Sequence, residues 1–177
     1  MIKNSIAKIT PQQEEDAKKI IRELQQENAR NTLQGFGPFL AAIYDDKGRL
    51  IAKMPNTVAK DKSCLWHAEM NTINAACKKL NTYDLAPLNL SIYITAEPCI
   101  MCMGAIMWSG IKKVFYGVNS ADVEKITGFD EGFKPAWQEE FAKRGIEVFG
   151  EIETEEGRKV LREYISSGKE VYKPSER

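Results

Sequence analysis

A chain of 177 residues, 43% apolar and 28% charged, is long enough for one domain with its own core, and its composition excludes the disordered, collagen-like and disulfide-framework classes. Twenty-five Lys and Arg are cancelled by 25 Asp and Glu, so no net field exists to capture a polyanion, and basic residues occur in runs no longer than pairs. The single histidine, His67, excludes any chemistry that needs two. Four cysteines, at 64, 77, 99 and 102, behind an opening segment with no signal-peptide apolar core, lead us to expect a reducing, cytoplasmic location. The longest nearly apolar stretch, Cys99 to Trp108, is about half of the roughly 20 residues that a membrane-spanning helix requires.

In chain order, Thr10-Pro11-Gln12-Gln13 opens a helix with a capping box, and Ala17, Ile20, Ile21 and Leu24 form its apolar stripe. Pro38 to Tyr44 and Arg49 to Lys53, joined by Asp45-Asp46-Lys47-Gly48, form a hairpin whose first strand is apolar enough to lie inside a sheet. Met70, Ile73, Cys77 and Leu80 recur on one helical face, and Leu90 to Thr95 is the next strand. Cys99 to Ser109 is a second helix closed by Gly110, followed by a strand at Lys112 to Gly117. Beyond a loop with Gly128, Phe129, Gly132 and Phe133 come a helix near Ala136 to Arg144, a strand at Ile146 to Phe149, and a last helix capped by Thr154 and ending near Gly168. The pattern is one α/β domain over residues 1–177, with consecutive β-α-β units that demand a parallel stretch of sheet.

The chemistry sits at the starts of the two middle helices, His67-Ala68-Glu69 and Pro98-Cys99-Ile100-Met101-Cys102. In right-handed β-α-β units each helix begins at the carboxyl edge of the preceding strand, so the two starts share one edge. Cys99 and Cys102, three apart on a helix, present both sulfurs on one face where the helix dipole favours thiolates. Two thiolates and an imidazole suit zinc, and a fourth tetrahedral position is left for water. Glu69, two residues past the histidine, is placed to carry a proton from that water to a substrate nitrogen. The spacing also admits a closed structural site that adds Cys64, which would make the chain an interaction module, and a redox Cys-x-x-Cys pair.

His-x-Glu followed by Pro-Cys-x-x-Cys is the signature of zinc nucleobase deaminases. Over roughly Pro38 to Gly132 the chain resembles the cytidine and deoxycytidylate deaminase superfamily and is most similar to bacterial guanine deaminases. The resemblance is carried by Gly37-Pro38-Phe39, Asn56, the run from Thr95 to Trp108, Val114-Phe115-Tyr116-Gly117 and Gly128-Phe129-Asp130-Glu131. It implies a three-layer α/β/α sandwich on a five-stranded mixed sheet and hydrolytic deamination of a free base, guanine to xanthine first. One zinc per subunit would be held by His67, Cys99 and Cys102, with Glu69 as proton shuttle and Asn56 hydrogen-bonding the base. Glu131, or Asp130 if the alignment slips, would help recognise or protonate the purine. Phe39, Ala68, Trp108 and Tyr172 complete the implied substrate-binding set, with Trp108 either core or pocket wall. The resemblance also implies a homodimer that can exchange the C-terminal segment 150–177. A tRNA adenosine deaminase shares the motif, but the neutral charge counts against a nucleic-acid partner. Trp66, where relatives carry a small residue, sets this chain's pocket rim apart.

Overall fold

The computed structural model describes residues 9–134 and 136–173. The opening octapeptide and the last four residues of the segment 150–177 therefore lie outside the described residues. The chain begins with α1 (Pro11–Leu33), whose Thr10 and Gln13 form the expected reciprocal capping box. The strands β1 (Leu40–Tyr44) and β2 (Leu50–Pro55) pair antiparallel as a hairpin. A short helix α2 (Val58–Asp61) precedes α3 (Ala68–Leu80), β3 (Ser91–Ala96), α4 (Ile100–Ser109) and β4 (Lys113–Val118). Then come α5 (Ser120–Thr127), α6 (Trp137–Ala142), β5 (Glu147–Phe149) and α7 (Thr154–Ser166).

The sheet order is β2-β1-β3-β4-β5, with β1 antiparallel to both neighbours and β3, β4 and β5 parallel, so the sheet is mixed and five-stranded as expected. Alternation along the strands sends side chains into two layers of core. Leu40 and Ala42 join Ala17, Ile21 and Leu24 of α1, together with the stack Tyr93, Phe115 and Phe149, whose successive ring centroids lie 4.6 and 4.8 Å apart. Ala41, Ile43, Ile92, Ile94, Val114 and Val148 face the opposite way, toward α3, α4 and α6. These two layers make the three-layer α/β/α sandwich.

Three local expectations are corrected. The deepest stripe of α3 is Ala68, Glu69, Thr72 and Ala76, with Ile73, Cys77 and Leu80 only partly buried beside it. Small side chains let the helix approach the sheet closely enough for the Thr72 hydroxyl to reach Ala41 O at 3.2 Å. Thr154 is the first helical residue of α7 and not its cap; Glu153, in the left-handed region, precedes it and no side chain caps the end. Helix α5, given no element by periodicity, is initiated by Asn119, whose Oδ1 accepts from Asp122 N at 2.9 Å.

Because β1 runs antiparallel to β3, the start of β1, the end of β2 and the carboxyl ends of β3 and β4 lie on one edge of the sheet. Everything that follows happens at that edge.

Candidate metal centre and active site

His67 caps α3 and Cys99 caps α4, both in extended backbone, so each side chain stands at a helix start with Cys102 one turn further on. The segment leading to His67 is stapled to the end of β2. Thr57 N donates to Trp66 O at 2.9 Å, and the Asn71 amide donates to Pro55 O and Thr57 Oγ1 at 3.0 Å each and to Trp66 O at 3.3 Å. Cys99 is reached through Glu97, whose N–H donates to Val118 O at 2.7 Å and ties the β3–α4 turn to the end of β4.

The result is a compact donor set. His67 Nδ1 lies 3.5 Å from Cys99 Sγ and 3.7 Å from Cys102 Sγ, and all three atoms fall within 4.8 Å of one another. A tetrahedral ion at about 2.3 Å from sulfur and about 2.0 Å from nitrogen requires N···S edges of about 3.5 Å, close to the two found, so the donor set suits zinc. Cys64 is exposed and does not join the group, which leaves three protein ligands and not the four of a closed site. No disulfide links Cys99 and Cys102. The Cys102 thiol, hydrogen-bonding to Cys99 with His67 alongside, pulls Cys99 down to about 4 despite burial, while that bond and burial push Cys102 well up. Burial lowers His67, but the Cys99 sulfur and the nearby carboxylates reverse this and raise it overall.

Two carboxylates accompany the donors. Glu69, only 6% exposed at the first turn of α3, is raised by burial and by the charge of Cys99. Glu131, on the loop after α5, is raised to about 7 by burial, against the opposing pull of Lys134. Its neighbour Asp130 is exposed and turns its carboxylate onto Gly132 N at 2.9 Å, so of these two acids only Glu131 faces the centre. A Cβ placed on Gly132 would stand 3.5 Å from Ile100, which locates this loop against the start of α4.

Asn56 is 1% exposed and held by its neighbours: its N–H donates to Phe39 O at 3.0 Å, its carbonyl accepts from Gly37 N at 3.2 Å, and Oδ1 accepts from Val58 N at 3.1 Å. Tyr172 returns to the same edge, its ring 4.7 Å from that of Phe129 and its buried hydroxyl without a partner in the described chain. Phe39 packs edge-on against Phe129 at 5.5 Å, and Ala68 is buried beside Glu69. Trp108 does not belong to this group. It is 83% exposed, about 9 Å of helical rise beyond Cys102, because α4 carries it away from the sheet edge.

Periodicity and motif also passed over Glu97, Asn71 and Lys134. Glu97 Oε1 accepts from Trp137 Nε1 at 3.0 Å and Oε2 from Ser120 N at 2.9 Å, so one carboxylate gathers the starts of α5 and α6 beside the metal ligands. Its place directly before Pro98-Cys99 was the available signal; Asn71 joins Pro55, Thr57 and Trp66, and Lys134 joins Glu131 to the distant Glu97, contacts that no period or motif marks.

Residues 13–118 match the cytidine and deoxycytidylate deaminase zinc-binding region. The guanine deaminase of Bacillus subtilis is 41% identical over 97 residues, 55% of this chain and 60% of that protein. A tRNA-specific adenosine deaminase of Rickettsia bellii is 36% identical over 85 residues, 48% of this chain and 57% of that one. Both matches thus span less than two thirds of the relative's length. Among solved structures, guanine deaminase from Nitrosomonas europaea superposes with a TM-score of 0.78 at 32% identity, covering 93% of this chain and 90% of its own. A mutant of the protein NE0047 in complex with 8-azaguanine gives 0.82 at 33% identity, covering 85% of both chains. Among the described residues no helix is long and apolar enough to cross a membrane. With its donor set, sheet order and sequence all in agreement, the chain belongs to the cytidine and deoxycytidylate deaminase family.

Proposed function

We propose that this protein is a zinc-dependent hydrolytic deaminase of free nucleobases, converting guanine and water to xanthine and ammonia. The observation that carries this is a buried carboxylate, Glu69, set beside a three-member donor group of His67, Cys99 and Cys102. One zinc per chain, held by those three residues, would supply a water acidified to near neutrality.

The remaining work falls to side chains. Glu69 takes the proton from the attacking water and passes it to the ring nitrogen beside the amino-bearing carbon; it then carries the second proton to the departing amine, so that a C–O bond replaces the C–N bond and ammonia leaves. Burial suits Glu69 to this cycle, because withdrawal from water raises its carboxyl above the ordinary range and makes it a better proton acceptor. Asn56 has its Oδ1 occupied by Val58 N, which reserves the Nδ2 donor for a ring acceptor. Glu131 holds the opposite edge of the base, while Phe39 and Tyr172 close the pocket around Phe129. Guanine is favoured among bases because relatives from Bacillus subtilis and Nitrosomonas europaea are guanine deaminases.

The exposed apolar side chains Leu65, Ile100, Trp108 and Phe133 favour a homodimer, in which Trp108 is covered by a second copy. We read the chain as one domain, in which the described part of the segment from 150, folded onto Phe129 through Tyr164 and Tyr172, is suited to exchange between subunits. The free cysteines at the site favour a reducing compartment, and we read the protein as cytoplasmic.

A second activity, adenosine deamination in tRNA, is favoured by the Rickettsia relative and opposed by a chain with as many acidic as basic residues. One assay separates the two: ammonia release by zinc-loaded protein from guanine, adenine, cytosine and tRNA, with Glu69→Ala as control. Release from guanine that vanishes in the variant is expected. Release from tRNA alone, weakening as salt rises, would transfer the assignment to the second activity, and silence on all four would overturn both.

A further inference from the structure

We propose that Lys134 is a positioning residue: it ties the Glu131 carboxylate to Glu97 and so holds the loop 129–134 over the metal-ligand group. This rests on the deaminase activity proposed above and adds to it the device that keeps Glu131 in register.

The geometry is that of a strut. Lys134 Nζ lies 3.6 Å from Glu131 Oε2 and 4.0 Å from Glu97 Oε2, and all three side chains are largely buried. Nζ is shut off from solvent and makes no hydrogen bond within the described chain. Among the described residues, Lys134 is the one cation paired with Glu131. A solvated surface pair would leave its nitrogen free to water; here a cation is withdrawn from water and held between two carboxylates by charge alone. Such an arrangement is a poor source of stability, and the role left to it in this proposal is to fix position.

The two ends of the strut differ in rigidity. Glu97 is immobilised by bonds from Trp137 Nε1 and Ser120 N and by its own N–H to Val118 O, and it runs straight into Pro98 and Cys99. Glu131 sits on a loop whose amides are met by nearby side chains, Phe129 N by Thr127 Oγ1 at 3.1 Å, Glu131 N by Glu124 Oε1 at 3.2 Å and Gly132 N by Asp130 Oδ1 at 2.9 Å. Lys134 therefore links the fixed position of the ligand-bearing turn to the Glu131 carboxylate. An error of about 1 Å at a group that touches substrate costs on the order of a hundredfold in rate.

The test is a double-mutant cycle in zinc-loaded protein with Lys134→Met, Glu131→Gln and the pair, and Lys134→Arg as the conservative variant. Lys134→Met is expected to lower kcat for ammonia release about 10- to 100-fold at unchanged zinc content, and Lys134→Arg to recover most of it. The pair should be no slower than Glu131→Gln alone, because Lys134 acts through Glu131. Fully additive losses, or Lys134→Met within twofold of wild type, would overturn the proposal. A readout without substrate accompanies it: amide hydrogen exchange of 129–134 should accelerate about tenfold in Lys134→Met and not in Lys134→Arg. Unchanged exchange overturns the strut whatever the kinetics. If wild type releases no ammonia from any base, the proposed activity fails while the exchange result still decides the role of Lys134.

Discussion

Gly37 lies where the start of β1, the residue after β2 and the C-terminal segment meet, and Gly37→Ala puts that meeting under a measurable load. A Cβ there would stand 2.6 Å from both Asn56 Oδ1 and the Tyr172 hydroxyl, and 3.0 Å from Asn56 Cγ. It would fall 0.8 Å inside the 3.4 Å of an ordinary contact on two sides at once. Asn56 has little room to retreat, since its N–H, carbonyl and Oδ1 are all engaged with neighbouring backbone. Tyr172 has a hydroxyl without a partner and follows the last helix, so the tail gives first. Overpacking of this kind costs about 1–3 kcal/mol. Taken from pocket closure, that energy is about a 5- to 150-fold loss of kcat/KM, weighted toward KM, with zinc content unchanged. Steady-state ammonia release at several guanine concentrations reads it directly. Gly37→Ala combined with Tyr172→Phe, which removes one of the two clashing oxygens, should recover part of the loss. A single variant within twofold of wild type would refute the reasoning that Asn56 and Tyr172 shape one pocket wall.

Glu69→Gln preserves volume and removes the proton carrier; turnover should fall about 10²- to 10⁴-fold while zinc, measured by atomic emission, stays bound at one per chain. Cys99→Ser should lose zinc and lower the thermal midpoint together, because metal binding and folding are linked; retention of stoichiometric zinc would contradict its place in the donor set. Glu131 carries a pH signature. Its carboxyl, raised from 4.5 to about 7, favours the folded state while protonated and loses that advantage as pH climbs through 7. Glu131→Gln should therefore gain stability relative to wild type between pH 5 and pH 8, by up to about 3 kcal/mol, in urea titrations of the two proteins. A difference that does not change with pH would show that the carboxyl is not raised.

What the sequence disclosed and what it withheld divide along contact distance. The capping box at Thr10, the hairpin turn, the glycine stop after α4 and the Cys-x-x-Cys face depend on residues a few positions apart, and each is present. His67 meets Cys99 and Cys102 from 32 and 35 positions away, yet the shared direction of β2 and β3, each followed by a helix that starts at its carboxyl end, brings them to one edge. Trp108 was misplaced because an aromatic at the end of an apolar helix reads the same whether it meets a pocket or the surface. The register of α3 was shifted because alanine and threonine carry little apolar signal, although their small size is what brings that helix onto β1.

The buried polar residues were the least legible, and they do most to shape the edge. Gln25 of α1 donates to Thr95 O at 2.8 Å and Asn28 to Pro38 O at 2.8 Å, so the helix on the far side of the sheet fixes the backbone on either side of the pocket. Glu97 does the same from within the motif, and Asn71 from α3. None of these groups follows a period, because each answers an unpaired backbone or side-chain group that exists only once the sheet has formed. The metal ligands could be read from spacing because a single ion dictates it. The walls could not, because they are set by how the surrounding elements satisfy their own hydrogen bonds. On the proposed activity, base preference is therefore to be sought in the walls around Gly37, Asn56, Glu131 and Tyr172 and not in the signature that identifies the family.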